Sequence, residues 1–577
     1  MRDMVELSGT GGPVHTPQVM RPVVFSGLFG WLHATGGAMA DTGVVLISPL
    51  GRDERCAHQS MRLLADQLAE AGFPTLRYDH RGEGDSLDLA APEADAFALW
   101  LEDVERAVDE LRQRTGVERV VLGGVRLGAS FAALQAAHVD GLLLLAPILN
   151  GRAWLKRLRF SANVVKTPTV ANAGDLALDS GGLVLKPATA AGLSAFDLDL
   201  APPPALPLFV AAQNRMVRGW AERRQAAFAG VTISDFPGFD ALFLDAHSNE
   251  PPLALFAGVR DWMRQRFGPA FLEGGRASSD ETEADLVELH PPGAAERAMT
   301  FGEGLRGILC LPDQIDPDAP TLLFLNTGGD PRPGIGSFAT TAARRLAGRG
   351  AASLRFDFAG LGDSAATGSD IRSHVYETSR AADLDAALGL LEGQGLRNIC
   401  VFGVCAGAHH ALRLGVHDPR VTRIFAVNPV KLVWRRGDSL AEGEVDEGKA
   451  TQTYIQAVRD RQTWKRLMEG EVDLRAVART FYLRLKAHAL GMISRLRGDS
   501  PLAEMRAFAR RGGRAHLLMG LDDASIDETR VYFGPDAAKL TALPGMSVRV
   551  DPALDHGLAR GDSRAIALDE LMAWLGI

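Results

Sequence analysis

Nowhere in these 577 residues does an apolar run approach the roughly 20 residues that a membrane-spanning helix needs. The stretch from Met1 to Met20 also lacks an apolar core, so no secretory signal is expected there. Cysteine is scarce. The four present, Cys56, Cys310, Cys400 and Cys405, are widely spaced and form no ligand-pair pattern. That argues against a disulfide or zinc framework and fits a reducing, cytoplasmic setting, with three of the four as plain buried residues. Basic charge is not in excess either. A formal net charge of -9 argues against a nucleic-acid or anionic-membrane surface. No metal, cofactor, nucleic-acid or membrane partner is expected, and self-association stays open. What remains is a globular composition, 46% hydrophobic and 23% charged, in a chain too long for one ordinary core. Two large domains are the natural division.

An internal repeat supports that division. Leu76-Arg77-Tyr78-Asp79-His80-Arg81-Gly82-Glu83-Gly84-Asp85-Ser86 matches Leu354-Arg355-Phe356-Asp357-Phe358-Ala359-Gly360-Leu361-Gly362-Asp363-Ser364 at seven of eleven positions. Upstream, Phe25 to Leu32 is echoed by Phe301 to Leu309, each reading as an antiparallel hairpin, and the buried strand Gly43 to Pro49 by Thr321 to Asn326. Downstream, Gly124-Val125-Arg126-Leu127-Gly128 is echoed by Gly403-Val404-Cys405-Ala406-Gly407, and Ala146-Pro147 by Asn428-Pro429. A period of roughly 280 residues is too long for a solenoid and means a duplicated domain.

Each copy alternates apolar, β-branched runs with helical patterns, which predicts a mostly parallel sheet flanked by helices. The boundaries read as a first domain over 1–273, a small, polar and acidic linker over 274–292, and a second domain over 293–577. The copies diverge after the sixth strand. The first inserts a Gly/Ala/Thr-rich stretch from Gly151 to Pro204. The second inserts a helical, basic stretch over about 430–513, expected to cap the site.

Both elbow sequences follow an apolar strand and open a helix, the setting that exposes a nucleophile on a sharp turn. With the Asp-x-x-Gly-x-Gly-x-Ser loop before them and a late Asp and His after them, they make the chain resemble the α/β-hydrolase superfamily twice over, along nearly its whole length. The resemblance is nearest to serine-aminopeptidase and lysophospholipase-like hydrolases, including those linked to exosortase loci. Cysteine in the elbow departs from most of them and is shared with polyhydroxyalkanoate synthases, dienelactone hydrolases and some thioesterases.

In the second copy Cys405 sits at a helix N-terminus, where the dipole and a neighbouring histidine favour a thiolate. The expected base is His556, in Asp555-His556-Gly557. The expected acid is Asp523 rather than Asp522, because the family's usual Gly-x-x-Asp spacing from Gly520 selects it. The oxyanion hole needs two backbone N–H donors, assigned to Ala406 and to the turn at Thr327 and Gly328. His409 and His410 read as core or cap contacts, His374 and His488 as solvent or cap residues, and Asp357 and Asp363 as structural, since both copies keep their loop.

The first copy fails at each catalytic place. Arg126 replaces the nucleophile, Ala211-Ala212-Gln213-Asn214 stands where the acid is expected, and His247 persists at the base position with no partner to activate. Arg126 at a helix N-terminus could hold an anion such as a carboxylate or phosphate, or it marks drift after loss of function, with the domain kept as a packing partner or docking platform. The resulting expectation is an acyl-Cys enzyme that transfers an acyl group from a coenzyme A or carrier-protein thioester to an amine, alcohol or carbon acceptor. The basic residues Arg435, Arg436, Lys465, Arg466, Arg484 and Lys486 could receive the donor's phosphate, or form a solvated helical face. Hydrolysis by the same Cys-His-Asp set, as a thioesterase, esterase or lactone hydrolase, is the near alternative. A non-catalytic scaffold is the distant one, favoured if Cys405 and His556 lie too far apart to communicate.

Overall fold

The computed structural model describes residues 18–35, 39–91, 94–164, 178–268, 287–316, 318–365, 380–434 and 500–577. In the first half, an antiparallel hairpin of β1 (Gln18–Phe25) and β2 (Leu28–Thr35) leads into β3 (Thr42–Ile47), β4 (Thr75–Tyr78), β5 (Arg119–Val125) and β6 (Gly141–Leu145). A small separate hairpin, β7 (Leu178–Ser180) and β8 (Leu183–Leu185), precedes β9 (Leu208–Ala212) and β10 (Val231–Asp235). The second half contains β11 (Glu288–Leu289), β12 (Ala294–Phe301), β13 (Leu305–Pro312), β14 (Thr321–Phe324), β15 (Ser353–Asp357), β16 (Ile399–Val404), β17 (Val421–Val427), β18 (Arg514–Gly520) and β19 (Met546–Asp551).

The spatial orders are β1-β2-β4-β3-β5-β6-β9-β10 and β12-β13-β15-β14-β16-β17-β18-β19, the same arrangement twice, with β11 added at the edge of the second sheet. Every pairing from β4 to β10 and from β15 to β19 is parallel. Runs such as β3 and β6 are buried from end to end because helices cover both faces of a parallel sheet. In the first domain the helix Arg52–Glu70 packs Met61, Leu64 and Leu68 with Phe256 and Val259 on one face, while Trp100, Val104 and Phe131 fill the other. This is the duplicated α/β architecture that the sequence predicts. Among the described residues, no helix is long and apolar enough to cross a membrane.

Two boundaries move. Glu288–Leu289, placed in the linker from its polar surroundings, pairs with Arg297 and Glu296 as a short edge strand. The helix Pro501–Arg510, assigned to the cap, sends Met505 and Phe508 into the second domain's core, because its apolar positions recur at helical spacing. Residues 435–499, the bulk of the expected cap with all six of its basic residues and His488, lie outside the described residues, as does His374.

The two halves meet through the repeated loop, and they do so reciprocally. Arg77 reaches Asp363 at 2.8 Å, and its counterpart Arg355 reaches Asp85, the counterpart of Asp363, at 2.8 Å. Arg332 ties the exchange together, bonding Asp85 at 2.7 Å and Asp363 and Asp357 at 2.8 Å each. Around this centre Gln59 donates to the Gly360 carbonyl at 2.7 Å, and the Gly84 N–H donates to Ser337 Oγ at 2.9 Å. Phe29, Trp31 and Ile308 form an apolar patch beside it. The charged groups are buried, so each depends on its partner across the interface.

Candidate active site

Cys405 follows β16 and caps the helix Ala406–His417 with φ +54° and ψ -112°, a strained backbone for a residue with a Cβ. The turn closes because its neighbours are small. A Cβ on Gly407 would lie 2.7 Å from the Asn326 carbonyl oxygen, so only glycine lets the helix approach the loop after β14. Cys405 is partly exposed, whereas Cys56, Cys310 and Cys400 are buried. Burial pushes those three thiols up to about 12.

His556, in the loop after β19, places Nδ1 2.7 Å from Asp523 Oδ2. Asp523 is 2% exposed and accepts a second hydrogen bond from the Ser525 N–H at 2.8 Å, which fixes its carboxylate. Asp522, one residue earlier, is exposed. Burial works against a charged imidazole, but Cys405 and the hydrogen-bonded Asp523, both acting on the ring, outweigh it. The His556 pKa is therefore raised well above the ordinary histidine value. The condition set for a scaffold, a separated Cys405 and His556, does not hold.

On the oxyanion side, Ala406 begins the helix and is buried directly after Cys405. Its N–H is one of the first-turn donors without an intrahelical acceptor. Thr327 and Gly328 form the turn after β14, closed by the Asp330 N–H donating to the Thr327 carbonyl at 3.0 Å. Gly328 has φ +59° with open space on its Cβ side. Asn326 holds the turn from below, donating to the Asp330 carbonyl at 2.9 Å and to Asp357 at 3.0 Å. His409 Nδ1–H donates to the Lys431 carbonyl at 2.8 Å, and burial, with His410 beside it, pushes its pKa down to about 3, while the His410 ring packs against Phe358.

One residue was missed by sequence reasoning. Asn428 donates to the carbonyls of Asp555 at 3.0 Å and His556 at 2.8 Å, and accepts from the Gly520 N–H at 2.8 Å. It fastens the base loop to the acid loop. The signal was available: the repeat pairs Asn428-Pro429 with Ala146-Pro147, so only the copy with Cys405 carries the asparagine.

In the first domain Arg126 keeps the strained elbow, with φ +57°. Its guanidinium is 3.1 Å from Asp53 and lies over the rings of Phe239 and Phe243. The protein itself thus sets an anion, Asp53, beside the arginine. A cavity of about 550 Å³ opens beside it, lined by Arg126, Ile148, Asn150, Asn214 and Met216 among others. Asn214, at the place of the missing acid, caps the next helix by accepting from the Val217 N–H at 3.0 Å. His247 pairs with Asp245 at 3.2 Å and lies toward the second domain. Among the described residues, no group of three or more His, Cys, Asp or Glu is placed to hold a metal ion.

Residues 43–179 match the serine aminopeptidase S33 family, a stretch that holds the Arg126 elbow and ends well before Cys405. Among solved structures, an esterase of Pyrococcus furiosus is 16% identical over 46% of this chain and 100% of its own, with a TM-score of 0.30. Est1E from Butyrivibrio proteoclasticus, solved with ferulic acid bound, is 15% identical over 42% of this chain and 98% of its own, at 0.32. A puromycin-hydrolyzing peptidase of Mycobacterium tuberculosis is 15% identical over 50% of this chain and 40% of its own, at 0.31. No curated protein matches.

Proposed function

We propose that this protein, with the α/β-hydrolase fold in both halves, is an acyl-transfer enzyme whose chemistry lies in the second half. The observation that carries the reading is the connected set of Cys405, His556 and Asp523, with 2.7 Å between the last two. In the first step Cys405 Sγ attacks a thioester carbonyl, and the thiol proton resides on His556. The carbonyl electrons move to oxygen, where the N–H groups of Ala406 and of the Thr327–Gly328 turn would receive the charge. Collapse expels the donor thiol, which takes the proton from His556, and leaves an acyl-Cys405 thioester. An amine or alcohol, deprotonated by His556, then attacks that carbonyl, and Cys405 leaves. Thiol–thioester exchange is near balance, so a cysteine suits acceptance from a coenzyme A or carrier-protein donor and keeps the intermediate reactive.

Hydrolysis of thioesters or esters is the second reading, and a specific observation favours it. The His556 side chain is 34% exposed, so water reaches the base. Transfer would require the acceptor to outcompete that water. Intact-mass spectrometry after mixing with a panel of acyl-coenzyme A thioesters tests both. An adduct absent from Cys405→Ala supports the covalent route, and no adduct with any donor refutes it. An adduct that persists until an amine or alcohol is added selects transfer, and one that decays in buffer selects hydrolysis.

A further inference from the structure

The loop Asn326–Asp330, which carries the assigned oxyanion donors, is held on one side by its own domain through Asn326 and on the other side by the first domain. Arg55 Nη1 lies 2.6 Å from Asp330 Oδ1, with side-chain exposures of 15% and 7%. Burial raises the Asp330 carboxyl above its ordinary value, and Arg55 is the chief group opposing that rise. Next to it, Gly329 rests on the first domain's backbone. A Cβ there would collide with the Ala246 carbonyl oxygen and stand 2.8 Å from His247 Cα. Gly329 has no left-handed φ, so it is glycine for lack of room and not for backbone freedom.

The Ala246–His247 seat is itself fixed by the helix that bears Arg55. Asn249 donates to the Cys56 carbonyl at 2.5 Å, and Arg52 donates to the Leu244 carbonyl. A single helical turn of the first domain thus grips both the seat and the carboxylate.

The contact runs one way: in the register that pairs Leu76 with Leu354, Arg55 falls on Pro333 and Asp330 on Arg52, so the reverse contact has no residues to make it. The same is true of Arg332 with Asp85, whose mirror would need Glu54, so the reciprocal exchange of Arg77 and Arg355 is flanked by contacts that only one direction makes.

We propose that the first domain is a working part of the second domain's active site, in which Arg55 and the Ala246–His247 backbone act as positioning elements that hold the oxyanion loop in place. This rests on the reading of Cys405 as nucleophile. Preorganised donors stabilise a developing oxyanion only while held near the required geometry, so a loosened loop slows the acyl step more than it weakens binding. The domain without a nucleophile is kept because the other domain's oxyanion hole leans on it.

Arg55→Met, Arg55→Lys and Gly329→Ala in the full chain test this, with p-nitrophenyl butyrate as acyl donor and iodoacetamide as an alkylating agent that needs no oxyanion hole. Arg55→Met is expected to lower kcat about ten- to hundredfold while KM moves less than about threefold, short of the loss seen when a whole donor is removed. Alkylation of Cys405 should be unaffected, Arg55→Lys should recover most of the rate, and Gly329→Ala should resemble Arg55→Met. Amide hydrogen exchange at residues 327–330 should quicken in Arg55→Met and not in Arg55→Lys. A folded Arg55→Met with wild-type kcat and exchange overturns the proposal, as does alkylation slowed as much as turnover. Absence of any Cys405-dependent turnover in the wild type would instead refute the nucleophile reading, and the exchange measurement alone would then decide the clamp.

Discussion

Replacing Asp363 with asparagine changes charge without changing shape, at the point where the two halves depend on each other most. The carboxylate of Asp363 is fully buried and meets Arg77 at 2.8 Å, Arg332 at 2.8 Å and His58 at 3.1 Å, the last an ion pair without an aligned hydrogen bond. Burial opposes its charge, but His58, Arg77 and Arg332 hold it well below the usual carboxylate range. Its contribution is therefore present above the ordinary carboxylate pKa and lost as pH falls through the depressed folded value. Asp363→Asn leaves buried cations short of a counter-charge, a loss of about 3–5 kcal/mol. Two of the three partners belong to the first domain, so most of that loss falls on docking. If one half of the chain, roughly 280 residues, bears it, an unfolding entropy of about 2.1 cal/mol/K per residue converts it to a fall of about 5–9 °C in Tm. Calorimetry should show this, with the single wild-type transition splitting in two. Trp31 fluorescence should follow the earlier one, since the ring lies at the interface under Arg332. Asp88→Asn is the control, because Asp88 is 71% exposed and its pair with Arg344 at 3.1 Å should contribute no more than about 1 kcal/mol. If Asp363→Asn shifts the transition no further than Asp88→Asn, the buried exchange is not what holds the halves together.

Two further outcomes concern the site. Asn428→Ala removes the fastening between the acid and base loops and should reduce the rate of Cys405 acylation about tenfold or more, while circular dichroism stays that of the wild type. An unchanged acylation rate would mean the loops hold each other without it. Asp523→Asn removes a hydrogen bond and a charge that both raise the His556 pKa. A raised pKa keeps the imidazolium below the unfolded value and loses it as pH rises through the folded one, so the alkaline limb of the kcat/KM profile should move to lower pH. A limb that stays in place would show that another group sets it.

How much of this could be read from the residues depended on whether the repeat exposed it. The elbow, His556 and Asp523 were legible because chain order and strand context fix them, and the structure brings them together. Asp357 and Asp363 were legible as structural, but not the reason. Arg77 and Arg355 reach the aspartate of the opposite copy while Asp357 meets Arg332 of its own, and a linear sequence does not say which copy a side chain faces. Asn428 was overlooked because its work is done through backbone carbonyls of distant loops, which no local pattern encodes. Arg55 was invisible for a related reason, being an ordinary helix residue whose partner lies 275 positions away. The pairing of Arg126 with Asp53 was hidden for the same reason, since Asp53 stands on a different helix, far from it in sequence.

The exchange of Arg77 with Asp363 and of Arg355 with Asp85 has one further consequence. A contact in which each side offers the other the same residues is the form taken by a two-fold homodimer. Two separate chains making it would come apart on dilution, and each would have to stay competent because neither copy is privileged. Joined in one polypeptide, the partners remain at high effective concentration whatever the cellular level. Symmetry is then free to break. One copy can then be held to its surface alone, which leaves room for an arginine at its elbow where the other copy carries Cys405.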